Sequence, residues 1–78
     1  MELSELLAYL AEGLVDDPEA VTVDSFEERG LLVLELAVGA DDYGKEIGRG
    51  GRTAQALRRV IKAAGASGGQ RVLVDIVD

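Results

Sequence analysis

Three glycines fall within four residues at Gly48-Arg49-Gly50-Gly51, and the stretches on both sides carry helical spacing. A helix does not run through such a segment, because each interior glycine costs about 0.5–1 kcal/mol relative to alanine. The chain must break there. The break separates a short helix, from Asp41 or Asp42 through about Ile47, from a second helix over Arg52 to Ala64. Without Cβ atoms the bend lets a ligand approach the main chain closely, and the second helix begins with unpaired amides and a positive dipole end. Both features favour a phosphate, and Arg49 adds a guanidinium that can fork onto its oxygens.

The remaining elements follow from periodicity. Leu3, Leu6, Leu7, Leu10 and Leu14 recur at helical spacing with Glu2, Glu5 and Glu12 off the stripe, so residues 3 to 15 read as an amphipathic helix. Asp16, Asp17 and Pro18 supply a turn. Alternation and β-forming residues predict strands over Ala20 to Phe26 and Leu31 to Val38, joined through Glu27 to Gly30 as an antiparallel hairpin. Asp41 or Asp42 is placed to cap the short helix. In the second helix Ala54, Leu57, Val60, Ile61 and Ala64 share one side. Arg52, Gln55, Arg59 and Lys62 lie opposite, within about 80° of one another. Gly65, Ser67, Gly68 and Gly69 end that helix, and Arg71 to Val77 forms a last strand with Val72, Val74 and Ile76 on one face.

The order is α-β-β-α-α-β, an α+β arrangement with a three-stranded sheet and helices on one face. Leu73 and Val77, with Val33 and Ala37, fall on the other face, where an apolar patch marks either a poorly covered sheet or a self-association surface. Seventy-eight residues with 47% apolar content suit a single domain over residues 1–78.

Composition excludes much. There is no cysteine and no histidine, which removes disulfides, thiolate and imidazole metal sites, and the commonest general base and nucleophile pairs. No cofactor or metal is called for, and the chain reads as non-catalytic. The acidic first fifteen residues lack the cationic start of a signal peptide, and no run approaches the roughly 20 apolar residues of a membrane span. A reducing cytoplasm fits. The pairs Asp16-Asp17 and Asp41-Asp42 are better explained as turn and cap residues than as a magnesium site of a hydrolase.

The formal charge of −7 argues against a polyanionic partner until it is divided. Residues 1–44 hold twelve acids and one base, Arg29. Residues 45–62 hold Lys45, Arg49, Arg52, Arg58, Arg59 and Lys62 against Glu46 alone, a local charge of +5. With a Debye length of about 8 Å at physiological salt, a phosphate among these bases feels them more than acids on the far side. Charge alone is met more readily by an amphipathic helix with a basic solvated face. Two other phosphate loops fail on spacing: neither Gly44 nor Gly48 starts Gly-x4-Gly-Lys-Ser/Thr, and a dinucleotide fingerprint from Gly48 would need glycine where Thr53 stands.

Ile47-Gly48-Arg49-Gly50-Gly51, with Leu57 six residues after the last glycine and arginines beside it, resembles the Ile-Gly-x-x-Gly core of KH domains. In those, a GxxG loop clamps the backbone of about four nucleotides of single-stranded nucleic acid. The element order matches the type II arrangement over essentially the whole chain. Asp42-Tyr43-Gly44-Lys45-Glu46-Ile47-Gly48, the helix Arg52 to Ala64 and the length are similar to the small bacterial KhpA family.

That resemblance implies an RNA-binding protein with an RNA chaperone or post-transcriptional role. It further implies a homodimer or a pairing with a KhpB-like KH protein, and an effect on cell shape. Carried over, Gly48, Arg49, Gly50 and Gly51 are the backbone clamp, Lys45 and Arg52 flank it, and Ile47 lines the apolar groove under the bases. For Ile47 an ordinary core contact is an equal alternative, and Arg59 and Lys62 read as a solvated face. The pattern departs from the family at Gly50, where a polar or basic side chain is usual, and in its overall acidity. The only aromatics are Tyr9, Phe26 and Tyr43, so stacking platforms worth about 1–3 kcal/mol per base are largely missing. Weak, salt-sensitive RNA binding is the expectation; a protein-interaction or dimerisation module with vestigial nucleic-acid binding is the alternative.

Overall fold

The computed structural model describes residues 1–44 and 51–77. Helix α1 spans Leu3–Glu12, strands β1 and β2 span Thr22–Glu28 and Leu31–Ala37, a one-turn α2 covers Ala40–Asp42, α3 runs Arg52–Ser67 and β3 is Arg71–Val77. β2 is central, antiparallel to β1 and parallel to β3. The helices lie on one face of this mixed sheet, the α+β architecture expected. Their apolar sides meet the sheet in one core, with Leu7, Leu34, Leu36 and Ile61 at its sealed centre.

Local chemistry explains the boundaries. α1 opens with the Glu2 amide donating to the Glu5 carboxylate at 3.3 Å. It ends at Glu12, three residues before the expected end, with Gly13 as its C-cap and the Leu14 and Val15 amides both donating to the Ala11 carbonyl. The turn reverses the leucine stripe: Leu14, expected inside, is 57% exposed, and Val15 packs on the core instead. The hairpin is tighter than the four residues expected. Both strands extend to a two-residue turn at Arg29 and Gly30, with φ of 55° and 81°. Positive φ at both positions matches the twist of the flanking strands.

Gly65 was expected to end α3 but lies inside it, and the helix continues through Ser67. Gly69, at φ 77°, makes the stop. The Gly69 amide donates to the Ala66 carbonyl at 3.0 Å and that of Gln70 to the Gly65 carbonyl at 2.8 Å, the pattern that satisfies a helix's last carbonyls. Gly65 serves packing: a Cβ there would stand 2.5 Å from Val72 Cγ2 and 2.9 Å from the Gln70 carbonyl oxygen. Ala54, Leu57 and Ile61 complete that buried side, whereas Val60, read as part of it, is 47% exposed.

Candidate nucleic-acid interface

Of the residues read as the clamp and its surroundings, Lys45, Ile47, Gly48, Arg49 and Gly50 lie outside the described residues, as does the expected end of the short helix at Ile47. Gly51 and Arg52 are described. Gly51 is the N-cap of α3, in extended geometry with φ −70° and ψ 179°, and its carbonyl accepts the Gln55 amide at 3.1 Å. The motif's last glycine is thus the point at which a 16-residue helix begins. That end bears the positive pole of the helix dipole.

Its electrostatics differ from those of the other helices. α1 carries Glu5 in its first turn and α2 carries Asp41 and Asp42; α3 carries no acid in its first turn, and Arg52 there is exposed. In a chain with fifteen acids this leaves a locally positive terminus. The exposed side of α3 continues with Gln55, Arg59 and Lys62, as expected from the helical angle.

Arg58 was counted in the local charge but assigned no place. Its Nε donates to the Val74 carbonyl at 3.4 Å, tying α3 to β3, the strand on the outer side of the sheet. The angular position carried the signal: Arg58 projects about 40° from buried Ala54 and about 60° from Ile61, at the margin of the packed side. Beyond it Lys62, Ala66, Gly69, Gln70 and Arg71 line a shallow groove where α3 gives way to β3.

Asp41 or Asp42 was expected as the helix cap, and neither is. The N-cap is Gly39 and makes no side-chain bond; Asp42 is instead the last residue of α2 and is buried. Its Oδ1 and Oδ2 accept the amides of Asp16 and Asp17 at 2.9 and 3.1 Å, fastening the turn after α1. Asp16, Asp17 and Asp42 therefore build one structural corner, and Asp41 stays exposed. Among the described residues no group of three or more acids is placed to hold a metal ion, and no helix is long and apolar enough to cross a membrane. Tyr9 is 66% exposed on α1, and Tyr43 packs against the core.

Residues 4–76 match the family model described as the KhpA/KhpB KH domain. This chain belongs to that family. It is 53% identical over 76 residues to the RNA-binding protein KhpA of Streptomyces coelicolor, covering 97% of this chain and 92% of that protein. To the RNA-binding protein KhpA of Caldanaerobacter subterraneus it is 41% identical over 96% of this chain and all of the relative. To that of Treponema pallidum it is 43% identical over 95% and 92%. The KhpA/KhpB KH family is a binding family rather than an enzymatic one, which accords with a chain lacking histidine and cysteine.

Proposed function

We propose that this protein binds single-stranded RNA by its sugar-phosphate backbone, with Gly48, Arg49, Gly50 and Gly51 as the clamp, Lys45 and Arg52 flanking it and Ile47 lining the groove under the bases. The observation that carries the reading is the start of α3 at Gly51 with no acid in its first turn, in a chain whose relatives are named RNA-binding proteins. Amides and dipole act on phosphate, Arg49 and Arg52 add charge-assisted bonds, and no bond is made or broken. With few aromatics and a net charge of −7, affinity is modest, tolerant of sequence and steeply salt-dependent. The role is that of a cytoplasmic RNA chaperone or post-transcriptional regulator. It acts as a homodimer or beside a KhpB-like KH protein, and apolar side chains left exposed at Leu14, in the turn after α1, and at Val60 on α3 suit such pairing.

The test is titration of single-stranded RNA at low salt with the wild type and the double variant Arg49→Asp, Gly50→Asp. The expected outcome is at least a roughly tenfold loss of affinity, about 1.4 kcal/mol, with circular dichroism and melting unchanged. Equal affinity in the folded variant overturns the clamp.

A further inference from the structure

The face of the sheet turned away from the helices is uncovered, and strand pairing aligns its side chains into cross-strand rungs. Phe26, Val33 and Leu73 form one rung and Asp24, Glu35 and Asp75 form the next. Phe26 and Leu73 are 46% and 45% exposed and flank Val33, which at 8% forms the floor between them although it lies outside the core under the helices. The result is an apolar notch. One rung away, about 7 Å along the strands, three carboxylates stand side by side.

Like charges directly opposite one another across strands destabilise a sheet. The cation on the neighbouring part of this face is Arg71, four residues along β3 from Asp75 and about 13 Å away. The acids do not converge on a metal site. An acidic row also repels RNA, so the occupant is a protein. A second copy stacked face to face fits poorly. With a twofold axis along the strands, six carboxylates meet. With the axis across them, Asp75 gains Arg71, but Asp24 meets Glu28 and Glu35 sits over Leu31.

We propose that this open face docks a basic protein, which seats an apolar side chain over Val33 between Phe26 and Leu73 and sets Lys or Arg onto the Asp24–Glu35–Asp75 rung. The apolar contact supplies burial; the carboxylates select a cationic partner and exclude both RNA and self-stacking. This surface is separate from the α3 terminus, so one molecule can hold RNA at one side and a basic protein at the other.

The test uses the full, isotope-labelled chain and a short peptide with two Leu-Ser-Lys-Ser repeats, whose extended form spaces Leu and Lys about 7 Å apart. Amide shifts are expected along β1, β2 and β3, and not at the start of α3. Binding is expected to weaken roughly tenfold, about 1.4 kcal/mol, in the triple variant Asp24→Asn, Glu35→Gln, Asp75→Asn, in Leu73→Ser, and for a peptide with Ser in place of Leu. Asp24, Leu73 and Asp75 are exposed and Glu35 is half-buried, every replacement is polar, and circular dichroism checks the folding of each variant. No shift at millimolar peptide, shifts centred elsewhere, or equal binding by the triple variant overturns the proposal. So does concentration-dependent self-association that Leu73→Ser abolishes, which would assign the face to a second copy, or competition for the face by single-stranded RNA.

Discussion

The two sides of β2 differ in both burial and charge. Towards the helices it presents Leu32, Leu34 and Leu36, with Leu34 and Leu36 wholly inaccessible. Away from them it presents Leu31, Val33, Glu35 and Ala37, of which Val33 alone is buried, and Glu35 stands between Asp24 and Asp75. Seven residues therefore divide two tasks by alternation alone. The covered side determines whether the domain exists; the open side is free to hold a charge arrangement that lowers stability. An acidic protein can spend its acids there and keep the α3 terminus clear of them.

The covered side should show the largest effect. Leu36→Ala is expected to cost about 2–5 kcal/mol, the transfer of a buried side chain plus a cavity that neighbours only partly fill. Against a typical total of about 5–15 kcal/mol, that brings the domain near its threshold. Urea unfolding measures it, and a loss below about 1 kcal/mol would mean that the helical layer does not seal this face. Gly65→Ala comes next. Overpacking against Val72 and the Gln70 carbonyl costs about 1–3 kcal/mol, while alanine returns roughly 1 kcal/mol of helix propensity. A net loss of up to about 2 kcal/mol in the same assay is expected, and a net gain would show that α3 and β3 can separate without penalty.

These residues also mark how far the sequence could be read. β3 was legible to its ends because Val72, Val74 and Ile76 recur at every second position in a β-forming run that follows a glycine-rich turn. α3 begins where the glycines stop, so the start of that helix at Arg52 was legible from pattern. Gly65 was misread because its neighbour, Val72, comes near only after the chain reverses, and a close approach leaves no local trace. Asp42 holds amides 25 and 26 residues away, beyond any spacing rule. The acidic rung needed register: Asp24, Glu35 and Asp75 are scattered along the chain, and only the two-residue turn at Arg29 and Gly30 sets Asp24 opposite Glu35. A slip of one residue would move them to opposite faces.

Glu35→Gln isolates the open side and should act with the opposite sign. Replacing the central carboxylate relieves its repulsion from Asp24 and Asp75 while keeping side-chain volume and an amide that can donate to both. The expected stabilisation is about 0.2–1 kcal/mol, or up to roughly 4–8 °C in Tm for a domain of this size. Because the affected charges face solvent, added salt should raise the wild type towards the variant and shrink the difference. Thermal melts of both proteins at low and high salt separate this from a packing effect, which salt would leave in place. A destabilised variant would mean that Glu35 is held by a favourable contact, and the two sides of β2 would then both be built for stability. A gain that salt erases leaves the division intact: leucines on one side that hold the fold, and on the other an acid kept despite its cost.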